Sequence, residues 1–441
     1  MHLIRLLKRD LAKETTLWVK DNVISEDQAS TICERYGIDY HDQQSHSYGY
    51  YVLITLGYLF IGLSLITLIG ANWEDFPRGL RMAGVIAITV FFNLLGAHQF
   101  RKDNDNAAVG WFFLGSLCYG ASIMLIAQIY HIGEHYPDGV FWWAVGVLPL
   151  ALLLRSTTLM LLTATLAFIW FFVEADLDYY PAFFPVFLAA FAWHLFRVKQ
   201  SQILFLVLAA GIALVFEYSL AWSFGAPHHF GFEIEHVATI GALFVAYYGL
   251  AKWLVNQPNP YYQDYGTILG VWVLRFSIVV LLIFSFEEMW REFMGERWHR
   301  PGLILSLGLA LSALSILLAY RGTRSFLLTL STLSFALFYL IALFAMIYVP
   351  QEYSLQMQIY TNLVLIITGI WLIAQGIHGG ISHYFYLGVL TIMLTGLLRY
   401  IDFVGDYVGA AILFAVFAAI LLGVARFWRT TLRKQTRGAS T

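Results

Sequence analysis

The side chains able to do chemistry gather at the ends of long apolar runs. Asn72-Trp73-Glu74-Asp75 closes one run, Gln128-Ile129-Tyr130-His131 a second, and Arg399-Tyr400-Ile401-Asp402 a third. Amides, aromatic rings and carboxylates in this mixture suit a cationic or hydroxyl-rich solute. Asn72, Trp73, Gln128, Tyr130, His131, Arg399 and Asp402 are therefore candidate substrate-binding residues. Asn72, Gln128 and Arg399 weigh most, because a polar group at the end of an apolar helix needs a partner or water. Trp and Tyr also populate membrane interfaces without any site. Glu74 and Asp75 offer an alternative chemistry, since an interfacial carboxylate can act as general base toward an acceptor hydroxyl.

Two charges sit deeper. Arg275 lies inside the run from Gly266 to Phe286, and Glu217 inside the run from Gln202 to Trp222. Ionisable groups at such depth cost about 3 kcal/mol on insertion scales and usually face a bundle interior or cavity. Both join the candidate site residues, with the expectation that they pair or share a buried polar pocket. His131 and His135 have an i, i+4 spacing, but Gly133 and Pro137 mark the stretch as a turn, so no metal is assigned. No phosphate loop, dinucleotide fingerprint, nucleophile elbow or zinc-protease motif occurs. Cys33 and Cys118 are too few for a disulfide framework or thiolate site. The expectation is no cofactor and no nucleic-acid partner, the basic tail from Arg426 to Arg437 being read as a membrane anchor.

The elements that carry these residues are apolar helices. The chain has 441 residues, 59% hydrophobic and 12% charged, against about 25% charged in soluble domains. Runs near Tyr51–Ala71, Leu80–His98, Ala107–Tyr130, Gly139–Leu154, Thr157–Val173, Tyr180–Phe196 and Gln202–Trp222 fill the first half. His236–Val255, Gly266–Phe286, Gly302–Tyr320, Ser325–Val349, Leu355–Gln375, Ile381–Leu398 and Tyr407–Ala425 fill the second. A bilayer core needs roughly 20 helical residues, so the expected fold is an all-α polytopic bundle of about 14 spans. The fourth, fifth and twelfth runs are the ones whose full crossing the pattern leaves open. Basic residues in short loops mark the cytoplasmic side. Placing both termini there sets Arg101, Lys102, Arg155, Arg197, Lys199, Arg321 and Arg324 inside. The inner face then carries about +8 and the outer about −10. The polar ends of the runs that close at Ala71, Tyr130 and Leu398 then fall outside.

Four regions result: a cytoplasmic helical hairpin over 1–50, a four-span unit over 51–155, a ten-span region over 156–425, and a basic cytoplasmic tail over 426–441. In the hairpin, Ser25-Glu26-Asp27-Gln28 has the capping-box pattern. The hairpin suits the inner leaflet or a cytoplasmic partner. Leu56–Ser64 matches Leu114–Ser122 at five of nine positions, with Gly57 and Gly62 recurring as Gly115 and Gly120. Parallel repeats of this kind occur in transporters.

Leu17-Trp18, Ile24-Ser25, Gln28-Ala29, Gly57 to Gly62, Ala71-Asn72-Trp73, Gly120, Ala127-Gln128-Ile129-Tyr130-His131, Trp143 and Leu148-Pro149 together resemble a family of predicted bacterial membrane proteins, domain of unknown function 2157. The resemblance covers roughly the first 155 residues, with a further likeness around Gly396 to Asp402. It implies a multi-pass protein of the bacterial inner membrane and brings no activity with it. The residues themselves favour a transporter or flippase over an enzyme, with the lipid bilayer and a small polar or lipid-linked substrate as partners. A membrane-embedded transferase acting on a lipid-linked substrate is the alternative, and a sensor or assembly scaffold using the hairpin is the other.

Overall fold

A chain segment in hydrocarbon must satisfy its own backbone N–H and C=O groups, and the helix is the local structure that does so. The computed structural model describes residues 15–35, 48–71, 77–131, 135–224, 234–323, 326–379, 382–403 and 415, and among them the apolar runs are helical and no strand occurs. The helices are α1 (Glu26–Arg35), α2 (Tyr48–Ala71), α3 (Arg78–Phe100), α4 (Asp105–Tyr130), α5 (Pro137–Leu153), α6 (Thr157–Asp176), α7 (Phe184–Trp193) and α8 (Gln202–Ser223). They continue with α9 (Ile234–Val255), α10 (Pro260–Ile283), α11 (Glu287–Gly295), α12 (Pro301–Thr323), α13 (Phe326–Tyr348), α14 (Ser354–Gly379) and α15 (Ser382–Phe403). Every expected run up to Leu398 coincides with a helix, whereas Tyr407–Ala425 lies outside the described residues apart from Ala415.

Nine helices among the described residues are long and apolar enough to cross a membrane, and Val52–Ser64, Pro137–Leu153 and Phe184–Val198 form shorter apolar helices. The chain is a multi-pass helical membrane protein. Its spans expose Phe91, Leu94, Phe172, Leu309, Phe344 and Ile370 rather than hiding them. That is expected where the surrounding solvent is itself apolar. The fourth and fifth runs are separate helices: Arg155 adopts a left-handed conformation (φ 50°), and the Ser156 hydroxyl accepts from the Leu159 N–H at 3.4 Å. α6 has full spanning length, α5 is shorter, and Gln351–Ile377 makes the twelfth run long enough to cross.

The capping box is present. The Ser25 N–H donates to Gln28 Oε1 at 3.0 Å, and the Gln28 N–H donates back to Ser25 Oγ at 3.3 Å. Ala29 and Cys33 on α1 are buried against Val19 and Ile24, so the described part of the N-terminal segment has a small core of its own. Residues 1–14 and Gly37 lie outside the described residues.

The chain forms two compact units, one of residues 2–232 and 257–268, the other chiefly of 233–256 and 269–441. Between helices in lipid there is little hydrophobic drive, so close packing depends on small residues. In the N-terminal unit a Cβ on Gly120 would lie 2.0 Å from the Trp143 ring, and one on Gly146 would lie 2.3 Å from the Tyr119 ring. The Trp143 indole N–H donates to the Ser116 carbonyl at 2.8 Å, locking α5 onto α4. The matching glycines of the internal repeat meet different neighbours: Gly62 faces Leu117, whereas Gly120 faces Trp143. In the C-terminal unit, Gly249 on α9 lets the backbone of Ser315 on α12 approach, and Ser315 Oγ donates to the Val245 carbonyl at 2.6 Å.

A Cβ at position 249 would fall 2.3 Å from the Ser315 carbonyl oxygen, which is backbone and cannot swing away. Gly249→Ala is therefore expected to separate α9 from α12 and to destabilise the unit by about 1–3 kcal/mol, in the range of overpacking. The thermal midpoint of the detergent-solubilised protein should fall, and an unchanged midpoint would show that this approach is not under constraint.

Candidate functional site

In the C-terminal unit the richest polar arrangement forms where α10 stops. A helix end leaves carbonyls without intrahelical partners, and here side chains meet them. The Trp290 indole N–H donates to the Phe284 carbonyl at 2.8 Å and to Thr361 Oγ1 at 3.1 Å. The Asn362 amide donates to the Ser285 carbonyl at 3.1 Å and to the Gln358 carbonyl at 2.8 Å. Gln358, Thr361 and Asn362 sit at i, i+3 and i+4 on α14, which puts them on one face.

The same face reaches α15. Gln358 Nε2 donates to Asp402 Oδ2 at 3.1 Å, and Arg399 Nη1 donates to the same oxygen at 2.5 Å. The Arg399 guanidinium also lies over the Phe286 ring at 5.0 Å, and its Nη2 approaches Ser285 Oγ at 3.5 Å. Gln358 and Ser285 are buried, while Arg399 and Asp402 keep 18% and 24% of their side-chain surface. The network is thus a buried amide anchored to a half-buried ion pair.

α11 holds this arrangement together. It opens with Glu287 and Glu288, whose charges suit a helix N-terminus. Its Trp290 and Met294 pack into a core with Phe284, Ala345 and Met346. Glu287 Oε1 accepts from Arg291 at 2.6 Å and from Ser354 Oγ at 3.0 Å, which ties α11 to the start of α14.

Beside the network lies a cavity of about 260 Å³, lined among others by Tyr248, Phe335, Tyr339, Tyr360 and Trp371. Phe284, Trp290 and Thr361 belong to its wall, and their chain neighbours Ser285 and Asn362 belong to the network. Tyr339 and Tyr360 turn their hydroxyls to the Ala238 and Phe338 carbonyls, at 2.9 and 2.8 Å. The wall facing the cavity is therefore mostly apolar, with Ser277, Ser331 and Ser334 among its polar members. For scale, a cavity of roughly 150 Å³ lined by apolar side chains admits benzene. A wider apolar groove over Ile86, Val90 and Ile123 in the N-terminal unit has no charged lining residue to orient a ligand.

The residues expected from sequence fare unequally. Asn72, Trp73, Glu74 and Asp75 lie outside the described residues. Gln128, Tyr130 and His131 are exposed at the end of α4, where His131 is the left-handed C-cap (φ 53°) and its N–H donates to the Ala127 carbonyl. Glu217 is buried on α8 of the N-terminal unit, next to Tyr218, whose hydroxyl donates to the Tyr179 carbonyl at 3.1 Å. Arg275 is exposed on α10 in the part that belongs to the C-terminal unit, its guanidinium 5.4 Å from the Trp272 ring. The two deep charges therefore sit in separate units. Among the described candidates, Arg399 and Asp402 are brought into direct contact with each other. Gln358, Asn362, Ser285 and Trp290 join them without having been expected. The visible signal was the i, i+4 amide pair in an otherwise apolar run.

A second cluster stands in the N-terminal unit. His135, Asp138 and Glu174 place one ligand atom each within 4.8 Å of one another. The first two come from the turn and helix start after α4, the third from the last turn of α6.

Residues 16–160 match the model of a family described as predicted membrane protein, DUF2157. The DUF2157 match takes in α1 to α5 and the first residues of α6, much as the sequence resemblance implies. The cavity and the Arg399 network lie beyond it. No curated protein and no solved structure matches the chain.

Arg291 and Ser354 hold the Glu287 carboxyl below its ordinary value of 4.5 through their hydrogen bonds. A carboxyl with a depressed folded-state pKa contributes stability above its unfolded pKa and loses it as pH falls through the folded one. Acidification from about pH 5 toward pH 3 should therefore loosen α11 from α14. Protease cleavage within 287–301, followed across that range, should rise in the wild type and be high and flatter in Glu287→Gln. Identical profiles would remove Glu287 from this role.

Proposed function

We propose that this membrane protein is a transporter or flippase whose C-terminal unit holds an amphiphilic, lipid-like substrate. Its apolar part would occupy the cavity beside Tyr339 and Trp371, and its polar head would engage the Arg399–Asp402–Gln358 network. The observation that carries the reading is the adjacency of the two. A mostly apolar wall gives way, within one residue after α10 (Phe284 to Ser285) and along α14 (Thr361 to Asn362), to a hydroxyl and buried amides that lead to the Arg399–Asp402 pair on α15. Binding sites are typically built that way, mostly apolar with a few placed polar groups. The carboxylate shared by Gln358 and Arg399 supports it further: a substrate head that displaces either donor changes how α14 and α15 are tied. Alternating access needs such a reversible tie. The bacterial inner membrane is the location that the family resemblance suggests.

Reconstitution of the full chain into vesicles containing a labelled phospholipid tests the reading. Ala342 also lines the cavity, and Ala342→Phe, which fills it, should abolish the protein-dependent transfer of label between leaflets. Arg399→Leu should slow it roughly 10- to 150-fold, the loss of one hydrogen bond to a charged group being about 1.5–3 kcal/mol. If both variants fold and transfer label at the wild-type rate, the site is elsewhere.

A further inference from the structure

We propose that His135, Asp138 and Glu174 form a binding site for a zinc-type divalent cation, separate from the cavity of the C-terminal unit. Nothing in the i, i+4 pairing of His131 with His135 builds such a site, because α4 ends at Tyr130 and the turn takes His131 away from a common helical face. The third ligand arrives through tertiary packing. α5 pairs with α6, and this brings Glu174 to the turn that carries His135 and Asp138.

The donors have the character of a built site. Glu174 is buried, and both its oxygens are held: Oε2 by His135 Nε2 at 2.9 Å, and Oε1 by the Trp170 indole N–H at 2.9 Å. A hydrogen bond of the second kind is what orients a ligating carboxylate. The His135 ring is set edge-to-face against Tyr179 with centroids 4.6 Å apart, which fixes its plane. Asp138 is exposed, following Pro137 in the first turn of α5. The cluster thus has one rigid wall and one open side through which an ion can enter.

The chemistry matches a dication. A neutral imidazole and two carboxylates carry a formal charge of −2. Imidazole with carboxylate oxygen suits zinc and its first-row neighbours, whereas calcium takes about six to eight oxygens. Zinc bonds of roughly 2.0–2.2 Å place tetrahedral ligand atoms roughly 3.5 Å apart, so donors already within 4.8 Å need only small side-chain rotations. On binding, the neutral imidazole carries its proton on Nδ1, and the hydrogen bond between His135 Nε2 and Glu174 is replaced by two bonds to the metal. Three protein ligands leave a further coordination position on the open side, for water or an external donor.

The full chain, purified in detergent and dialysed free of metal, is titrated with Zn²⁺, and with Co²⁺ as a spectroscopic substitute. One zinc per chain is expected, with the visible bands of cobalt bound to nitrogen and oxygen. His135→Ala and Glu174→Gln should weaken binding more than tenfold, and Asp138→Asn about tenfold. Trp170→Phe should weaken it by roughly 10- to 100-fold, as loss of an outer-shell partner does. Should Glu174→Gln fail to fold, the variants of the two less buried ligands, His135→Ala and Asp138→Asn, decide the matter, provided that they elute as the wild type does. A wild-type protein that takes up no zinc, or an affinity that survives in both of those variants, overturns the proposal.

Discussion

Backbone polar groups in hydrocarbon have no water to turn to, and the whole architecture follows from that constraint. It makes each apolar run a helix. It also makes every interruption of a helix costly, because the carbonyls released at the break must find donors. Between α10 and α11 the chain meets that cost with side chains: the Trp290 indole takes the Phe284 carbonyl and the Asn362 amide takes the Ser285 carbonyl. The polar network around Arg399 is therefore a structural answer before it is a site. The end of a span thus concentrates donors and acceptors at one point, where a polar group can be met.

The same constraint explains how helices are held together. Lipid tails compete with apolar side chains, so contact is won by shape and by hydrogen bonds across the interface. Gly249 admits the Ser315 backbone, and Gly388 would place a Cβ only 2.5 Å from the Gly369 carbonyl oxygen. Buried hydroxyls largely serve their own helices: Ser116, Thr163 and Thr395 each donate to the carbonyl four residues back. Ser315, which reaches across to Val245, is the more informative exception. It couples two helices with a bond that neither can make alone.

How far the sequence reveals this depends on whether the cause is local. Spans are local, since each depends on an unbroken run of apolar residues, and the helices up to Phe403 lie where those runs lie. The capping box of Ser25 and Gln28 is local too, four residues deciding it. α11 escapes the hydropathy pattern: Glu287, Glu288, Arg291 and Glu292 make residues 287–295 look like a loop, although Trp290 and Met294 share a buried face. Side-chain partners are less visible still. Arg399 and Asp402 can be read as a pair because they are three apart, but Gln358 reaches Asp402 across 44 positions. Glu174 lies 39 positions from His135, and no spacing rule connects them.

Those two clusters also differ in what their geometry leaves unfinished. In the Arg399 network many donors and acceptors meet each other: the guanidinium has a carboxylate and a ring, and the Phe284 and Ser285 carbonyls each have an N–H. A ligand there must displace an existing bond, which favours a reversible tie over tight capture. At His135 the buried carboxylate is braced from behind by Trp170, and the imidazole and Asp138 converge toward the open side. There an incoming cation replaces one hydrogen bond and gains three ligands. The first arrangement is suited to motion and the second to holding, so the two units carry different chemistry even though both are built from the same apolar helices.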